Sequence, residues 1–266
     1  MKVIRTIAAM QCLALNARKR SEVIAFVPTM GALHEGHLTL VRKAQTLADH
    51  IVMSIYVNPT QFGPKEDFRK YPRTLNKDLT MARKAGVDSV WTPDTLYHAH
   101  ESTWVEETEL SHGRCGASRP GHFKGVATVV CKLLHIVQPH IALFGQKDAQ
   151  QCDVIERMVR DLFIPVRIVR VPTVRDSQGV ALSSRNRYLS AREYELVVQF
   201  AQTLQRAGRQ KNLTLQKLSR WTLAQLCKIR GLHVDYVEWI NGFLCAAVWI
   251  GKTRLIDNVR YTPIKS

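Results

Sequence analysis

Short apolar runs alternate with segments of helical periodicity along much of the chain. The runs that predict buried strands lie at 23–28, 51–57, 88–91, 141–144 and 166–171. The intervening segments place apolar residues three and four positions apart, the spacing of one helix face. A first helix is expected over residues 1–20. Strands joined by helices pair in parallel and are covered by helices on both faces, so the alternation predicts an α/β fold with a doubly wound parallel sheet.

The pattern changes after Pro172. Residues 190–231 predict two helices. Three further segments predict a small antiparallel sheet, at 233–240, 244–250 and 254–259. Polar residues cluster between the two regions, as they do at domain boundaries. We therefore expect one domain of residues 1–174 and a smaller C-terminal α+β domain of residues 175–266.

The chain is strongly basic, with 38 Lys and Arg against 22 Asp and Glu and a net charge of +16. Such a charge suits a nucleic-acid partner, a pocket for polyanionic small molecules, or a basic surface alone. The basic clusters at 18–20 and 206–211 are short and carry no interleaved aromatic residues. We therefore expect no nucleic-acid partner.

The cysteines and the amino-terminal segment indicate the cellular compartment in which the protein is expected. None of the six cysteines belongs to a Cys-x-x-Cys pair, and most fall in apolar or helical segments, as small buried side chains do in a reducing compartment. Arg5, Gln11 and Asn16 interrupt the first apolar segment, which favours an amphipathic helix over a signal peptide. No apolar run is long enough to span a membrane. We expect a cytoplasmic protein without a membrane partner.

A strand-to-helix turn at residues 28–38 concentrates residues that carry chemistry. Gly31 and Gly36 let the backbone bend and approach a ligand, and the start of the following helix favours anions through its free N–H groups. His34 and His37 add two imidazoles there. On spacing alone, a phosphate-handling pair and a pair of polar turn residues fit equally well. A zinc site is disfavoured, because zinc-protease histidines are four apart and no third ligand is evident.

Three more polar segments follow predicted strands, where the ligand sites of open α/β sheets form. Segment 58–62 holds Gln61, whose amide suits a small ligand with hydroxyls and a carboxylate, although a capped turn explains the first residue of this segment equally well. Segment 145–151 holds Lys147, a point charge for phosphate. Segment 174–186 has two serines and an arginine able to wrap a triphosphate, but its composition favours a linker. The sequence lacks the Gly-x-x-x-x-Gly-Lys-Ser/Thr phosphate loop, a Gly-x-Gly-x-x-Gly dinucleotide-binding motif after the first strand, and the Gly-x-Ser-x-Gly nucleophile elbow of hydrolases.

Several of these segments resemble a known enzyme family. His34-Glu35-Gly36-His37 resembles the His-x-Gly-His signature of the class I synthetase-like nucleotidyltransferases. The longer string Pro-Thr-Met-Gly-Ala-Leu-His-Glu-Gly-His resembles the pantothenate synthetase (pantoate–β-alanine ligase) family more specifically. Further strings resemble this family in similar order, at 54–62, 71–74, 121–130, 145–148, 183–186 and 251–258. The resemblance spans nearly the whole chain and implies a Rossmann-like first domain.

The resemblance implies an ATP-dependent ligase that forms a pantoyl adenylate and then transfers the pantoyl group to β-alanine. It implies catalytic roles for His37, His34 and Lys147, with His37 as proton donor. The ATP contacts that it implies are Met30, Gly31, Ala32, Leu33, His34, Glu35, Gly36, His37, Gly145, Gln146, Lys147, Asp148, Val174, Leu182, Ser183, Ser184 and Arg185. Gln61 and Gln151 are implied to bind pantoate, and Gln61 also β-alanine.

The resemblance further implies Mg²⁺ bridged by the ATP phosphates near Asp148, a homodimer, and a second domain that closes as a lid. At some positions this sequence departs from the family pattern. Gln146 occupies a position where the family usually has Glu, and Ala149 one where it usually has an aromatic residue. His135 and His140 occupy positions where Asn and Asp are more usual in the family. Two alternatives stay open, namely another His-x-Gly-His adenylyl- or cytidylyltransferase with a different acceptor, and a non-enzymatic nucleic-acid-binding protein.

Overall fold

Parallel strands alternate with helices in the computed structural model, which describes residues 1–64, 66–211 and 213–263. The strands of the larger sheet are β1 Lys2–Ile4, β2 Ile24–Thr29, β3 His50–Ile55, β4 Ser89–Trp91, β5 Ile141–Gly145 and β6 Arg167–Val171. The accompanying helices are α1 Ile7–Lys19, α2 Glu35–Gln45, α3 Leu75–Lys84, α4 Arg114–Ser118, α5 His122–Val137 and α6 Ala149–Asp161. They are followed by α7 Ala191–Gly208, α8 Leu215–Leu226, β7 Leu232–Ile240, β8 Phe243–Ile250 and β9 Thr253–Arg260. Short 3-10 helices lie at Pro59–Gln61, Gln146–Asp148 and Ser184–Tyr188.

All neighbouring strands of the larger sheet pair in parallel, in the order β1-β4-β3-β2-β5-β6. β3 and β4 lie on one side of β2, and β5 and β6 lie on the other. The chain therefore reverses its direction of travel across the sheet after β4, and the carboxyl ends of β2 and β5 flank the topological switch point. The expected doubly wound, Rossmann-like parallel sheet is confirmed.

Burial on both faces explains why these strands carry apolar runs instead of alternating patterns. Residues 24 to 27 of β2 are all fully buried. On one face, Val27 and Met53 pack with Leu40 and Val41 of α2 in a single apolar cluster. Burying one such side chain contributes about 1.5–3 kcal/mol. A slip of β2 by one residue would exchange the side chains of its two buried faces, and side chains of different volume would no longer fit their close-packed neighbours.

The amino-terminal segment differs from the expected single helix. Residues Lys2–Ile4 form β1, which pairs in parallel with β4, and α1 begins only at Ile7. Thr6 caps α1, since its Oγ1 accepts a hydrogen bond from the Ala9 N–H at 3.2 Å. A strand of 3 residues has too few positions for a periodic signal, and its partner is distant in sequence. Only tertiary pairing reveals it.

Two compact units make up the chain, one of residues 1–146 with 150–172, the other of residues 147–149 with the chain from residue 173 onward. The second unit contains an antiparallel sheet in the order β7-β8-β9, packed with α7 and α8 around a common apolar core. This confirms the expected C-terminal α+β architecture. Within the described ranges, no helix combines the length and apolar character that a membrane crossing requires.

His140 ties the start of β2 to the segment before β5. Its Nδ1 accepts a hydrogen bond from the Ile24 N–H at 3.0 Å, and its backbone N–H donates to the Ile24 carbonyl at 2.9 Å. Burial, together with the positive charge of Arg18, lowers the pKa of His140 below its ordinary value. An accepting Nδ1 requires a neutral ring, so protonation breaks this bond.

We expect stability to fall as the pH drops through about 6.5, the ordinary histidine pKa, towards the lower folded pKa of His140, because the unfolded state then binds the extra proton. His140→Asn keeps a neutral acceptor for the Ile24 N–H and should flatten this dependence. Urea unfolding midpoints at about pH 7.5 and about pH 5.5 measure it. His135→Asn, at an exposed histidine of α5, is the matched control. An unchanged slope in His140→Asn would contradict the assignment.

Candidate active site

Polar segments after β2, β3 and β5 lie at one edge of the larger sheet, because the carboxyl ends of parallel strands point the same way. β2 leads into the histidine turn (residues 30–37), β3 leads into the 3-10 helix Pro59–Gln61, and β5 ends at Gly145. The first two segments meet directly, since the Gln61 Nε2 lies 3.3 Å from the Met30 Sδ. The first unit thus gathers the histidine turn, Gln61 and the end of β5, as the sequence predicts.

His34 and His37 form a reciprocal cap at the start of α2. The His34 Nδ1 accepts from the Gly36 N–H at 3.1 Å, and the His37 Nδ1 accepts from the His34 N–H at 3.3 Å. Their ring centroids lie 4.1 Å apart. This is a capping box in which imidazoles replace the usual hydroxyl and carboxylate. A Cβ at Gly36 would lie 2.8 Å from the His34 Cε1, which explains the glycine between the two histidines.

The cap corrects the expectation that the start of α2 presents free N–H groups to an anion. The Gly36 N–H donates to the His34 ring, and the N–H groups of His37 and Leu38 donate to the His34 carbonyl at 2.9 and 3.2 Å. These three N–H groups are therefore not donors for an anion, whereas the rings themselves are suited to that role. Because both Nδ1 atoms accept, a neutral ring at either position carries its proton on Nε2.

The buried carboxylate of Asp78, on α3, holds the first half of the histidine turn. Its oxygens accept from the Ala32 N–H at 3.0 Å and the Leu33 N–H at 2.9 Å. The Thr74 hydroxyl donates to the same carboxylate at 3.1 Å. Gly31 adopts a φ of +80°, and a Cβ there would come within 3.0 Å of the Asp78 Oδ2. Hydrogen bonds to a charged acceptor are about twice as strong as neutral ones, so Asp78 fixes the backbone path towards the two histidines.

We expect Asp78→Ala to lower the free energy of unfolding by about 1–3 kcal/mol, because two buried N–H groups lose their acceptor. Hydrogen exchange of the Ala32 and Leu33 amides should become faster. The matched control is Asp49→Ala, which removes a carboxylate that accepts from the Val23 N–H at the other end of β2. Unchanged protection of the turn amides in Asp78→Ala would refute the role of this carboxylate.

Asn58 ties the loop after β3 to α5. Its Nδ2 donates to the Gly125 carbonyl and to the Gln61 Oε1, each at 3.1 Å. Its Oδ1 lies 2.9 Å from the Tyr97 hydroxyl and 3.1 Å from the Thr60 hydroxyl. Burial raises the pKa of Tyr97 to about 12, which keeps that hydroxyl protonated. Asn58 stands at the N-cap of the 3-10 helix without a side-chain cap, so the capped-turn alternative is wrong.

The Gly125 carbonyl sets the orientation of the Gln61 amide. A carbonyl only accepts, so Asn58 must turn its NH₂ group towards Gly125, and that same group then meets the Gln61 oxygen. The Gln61 Nε2 consequently faces away from Asn58, towards Met30, as a donor. α5 comes this close only because position 125 is glycine: a Cβ there would lie 2.4 Å from the Thr60 carbonyl oxygen.

Arg119 and His122 hold the Gln61 backbone from another direction. The Arg119 guanidinium pairs with both Glu66 oxygens, at 2.8 and 2.6 Å, and donates to the Gln61 carbonyl at 3.3 Å. It also donates to the His122 Nε2 at 2.9 Å, while the His122 Nδ1 lies 2.8 Å from the Gln61 carbonyl. A guanidinium only donates and a carbonyl only accepts, so His122 carries its proton on Nδ1.

The two glutamines near the start of α6 differ in what they contact. The Gln150 Oε1 accepts from the Cys115 N–H at 2.9 Å, and its Nε2 donates to the carbonyls of Leu110 and His112 at 2.9 and 3.1 Å. Gln150 is buried and supports the loop before α4. Gln151 is half-buried. Gln151 is therefore the one of the two that remains accessible to a ligand, and its predicted role in pantoate binding stays a prediction.

The fourth polar segment belongs to the second unit and folds back on itself, so the interpretation as a plain linker is wrong. The Val174 carbonyl accepts from the Leu182 N–H at 3.0 Å, which makes these two predicted contacts neighbours. Ser183 then caps the 3-10 helix Ser184–Tyr188, since its Oγ accepts from the Arg185 N–H at 3.3 Å. The predicted ATP contacts of this segment thus share one compact stretch of backbone.

Lys147 and Asp148 also belong to the second unit, directly after β5 in sequence. The Lys147 Nζ lies 3.5 Å from the Asp148 Oδ1, and both side chains are partly exposed. Such pairs contribute about 0–1 kcal/mol, so this one does not hold the lysine away from a phosphate. Across residues 1–64, 66–211 and 213–263, no group of three or more His, Cys, Asp or Glu side chains is arranged to hold a metal ion.

A protein-family model and several known proteins match this chain over nearly its whole length. The model described as pantoate-beta-alanine ligase matches residues 2–260. The pantothenate synthetase of Thermotoga petrophila is 44% identical over 97% of this chain and 99% of the relative. That of Moorella thermoacetica is 46% identical over 97% of this chain and 98% of the relative.

Solved structures agree with these matches. The crystal structure of pantothenate synthetase from Thermus thermophilus is similar with a TM-score of 0.90 and 38% identity, over 98% of this chain and 100% of that chain. The pantoate-beta-alanine ligase of Francisella tularensis, complexed with beta-gamma ATP and β-alanine, is similar with a TM-score of 0.86 and 35% identity, over 98% of this chain and 97% of that chain. The matched length includes every segment of the candidate site.

Proposed function

Because the chain belongs to the pantoate-beta-alanine ligase family, we propose that it joins pantoate to β-alanine at the expense of ATP, releasing AMP and pyrophosphate. The enzyme is a ligase of pantothenate biosynthesis, and ATP is its substrate. The observation that carries this function is the family match from residue 2 to residue 260. The histidine cap beside the switch point supports it, because nucleotides bind at that place in such sheets.

In the proposed first step, the pantoate carboxylate attacks the α-phosphorus of ATP, and pyrophosphate leaves with the electron pair of the broken P–O bond. Negative charge grows on the phosphates, and preorganised donors stabilise it best. We assign this role to His34 and His37 through their Nε2–H groups and to Lys147 through its ammonium. His37 is the proposed proton donor.

Further proposed ATP contacts are Met30, Gly31, Ala32, Leu33, Glu35, Gly36, Gly145, Gln146, Asp148, Val174, Leu182, Ser183, Ser184 and Arg185.

Hydrogen bonds within the protein already engage some backbone N–H groups of the histidine turn. The N–H groups of Ala32 and Leu33 donate to Asp78, and the Gly36 N–H donates to the His34 ring. The N–H groups of these three residues therefore have partners within the protein, and the imidazole rings are the donors of this turn that we assign to ATP.

In the proposed second step, the amine of β-alanine attacks the acyl carbon of the pantoyl adenylate. The nitrogen loses a proton, and AMP departs with the electron pair of the acyl–oxygen bond. Gln61 and Gln151 are the proposed pantoate ligands, and Gln61 also lies near β-alanine in this scheme. The orientation of the Gln61 amide supports the assignment, since its Nε2 donor suits the oxygens of a hydroxy acid.

Mg²⁺ is the metal that we propose to accompany ATP, and it would neutralise charge on the phosphates. In nucleotide sites this ion keeps mostly phosphate and water ligands and takes one or two carboxylates from the protein. The partly exposed Asp148 carboxylate fits that demand as a hard oxygen donor beside Lys147. No dedicated protein cage is required for such an ion.

We also propose that the enzyme is cytoplasmic and acts as a homodimer. All six cysteines are free thiols, as expected in a reducing compartment. The homodimer rests on the resemblance to the family. The lid role of the second domain stays a prediction.

The test of the reaction is a nucleotide product assay with ATP, magnesium and pantoate, with and without β-alanine. Release of AMP and pyrophosphate that depends on β-alanine would support the proposal. ATP–pyrophosphate exchange without a need for pantoate would point to another acid, as in a different His-x-Gly-His transferase. No ATP chemistry, with strongly salt-dependent binding to generic DNA or RNA, would instead favour the nucleic-acid alternative.

Gln61→Glu tests the pantoate assignment with little change of shape. The new carboxylate still accepts from Asn58, but its second oxygen replaces the donor and repels pantoate. We expect the KM for pantoate to rise about 10- to 100-fold, the effect of losing a hydrogen bond to a charged group, with little change in the KM for ATP. Gln151→Ala should act in the same direction. Gln45→Glu, at the far end of α2, is the control, and an effect on ATP alone would make the pantoate assignment wrong.

His37→Ala should slow adenylate formation by about 10²-fold or more, the usual contribution of a positioned proton donor. It also removes half of the reciprocal cap, at a cost of about 1 kcal/mol in stability, so the fold should persist. Single-turnover formation of the adenylate is the measurement, with circular dichroism as the check on folding. Wild-type single-turnover kinetics in this variant would remove His37 from the mechanism.

A further inference from the structure

The backbone of Lys147 is held by the antiparallel sheet of the second unit. Residues 147–149 belong to that unit although they directly follow β5 in sequence. The Nδ2 of Asn258, on β9, donates to the Lys147 carbonyl at 3.0 Å. Asn258 is 4% exposed, so water competes little for this bond. Because the acceptor is a main-chain carbonyl, the bond fixes the point from which the lysine side chain extends.

One ion pair with a buried carboxylate fixes the peptide groups on both sides of Asn258. Arg175 pairs with both oxygens of Asp257, at 2.6 and 2.9 Å. The same guanidinium donates to the Asn258 carbonyl at 3.0 Å, and the Asp257 Oδ1 accepts from the Asn258 N–H at 2.7 Å. Bidentate arginine–carboxylate pairs add geometric specificity as well as energy. The backbone of Asn258 is thereby fixed, and with it the orientation of the side chain.

The pairing of β9 with β8 does not involve the side chain of Asn258. β9 pairs with β8 along its whole length, from Thr253 to Arg260, and Asn258 lies opposite Cys245 in that register. Burial raises the pKa of the Asp257 carboxyl, against the opposing effect of the Arg175 guanidinium, so the pair is kept despite a desolvation cost. The side chain of Asn258 therefore has its partner outside the β-ladder, at Lys147.

We propose that Asn258, held by the Arg175–Asp257 pair, is a positioning residue for Lys147 in adenylate formation. The inference rests on the proposed function, in which the Lys147 ammonium meets the ATP phosphates. A lysine is a point charge on a flexible four-carbon stem, so its anchored backbone limits where the charge can reach. A displacement of about 1 Å at a reacting group can cost about 10²-fold in rate.

The experiment compares Asn258→Asp and Asn258→Ala with the wild-type enzyme. The first keeps the shape but sets an oxygen against the Lys147 carbonyl, and the second only removes the donor. We expect kcat/KM for ATP to fall about 10- to 100-fold in both, with the KM for β-alanine unchanged. Should Asn258→Asp fail to fold, Asn258→Ala carries the test. Asp235→Asn, which breaks the Arg254–Asp235 pair of the same sheet, is the control and should keep wild-type ATP kinetics.

Lys147→Ala and the double variant Lys147→Ala/Asn258→Ala separate this inference from the proposed function. If Asn258 acts through the lysine, the double variant loses no more activity than Lys147→Ala alone. Additive losses, or a lowered melting temperature with unchanged ATP kinetics in the Asn258 variants, would overturn the inference and leave a structural role. Wild-type ATP kinetics in Lys147→Ala would instead overturn the proposed role of the lysine itself.

Discussion

The parallel pairing of β2 with β3 on one side and with β5 on the other is the constraint that the rest of the first unit follows. It sends the chain out of these strands at one edge of the sheet, where the histidine turn, the Gln61 loop and Gly145 emerge. Because β2 is buried on both faces, a slip in register would exchange side chains of different volume between two close-packed faces, so packing holds the strand ends in place. The position of the candidate site is thus a consequence of sheet packing.

Buried polar groups from other elements hold the candidate ligand-binding groups at this edge and in the second unit. A carboxylate of α3 holds the histidine turn, a carbonyl of α5 acts through Asn58 on Gln61, and an amide of β9 holds Lys147. In each case the supporting bond goes to the main chain or to an amide with a fixed orientation. Donors fixed in this way need no reorganisation when charge develops, which is the main source of electrostatic stabilisation in enzymes.

Much of this architecture was predictable from local pattern. Apolar runs and helical spacing predict β2 to β6 and the helices α2, α3, α5 and α6, because both signals depend only on neighbouring residues. The same holds for the antiparallel strands after residue 231. The prediction missed β1, whose partner β4 is distant in sequence, and it treated the start of α2 as a set of free N–H groups. The presence of imidazole rings at positions 34 and 37 does not by itself reveal that they cap the start of α2.

The sequence by itself determined the fold class, the alternation of strands and helices, and the identity of the histidine, glutamine and lysine residues of the candidate site, since these follow from periodicity and from motif resemblance. Only the tertiary structure decided which groups support them. Gly125 and Asn258 lie in strings that resemble the family, but neither they nor Asp78 carry a local signal of what they support, because each acts on a backbone or an amide far away in the chain. Such contacts exist only once packing has brought distant segments together and removed the water that would otherwise satisfy these groups.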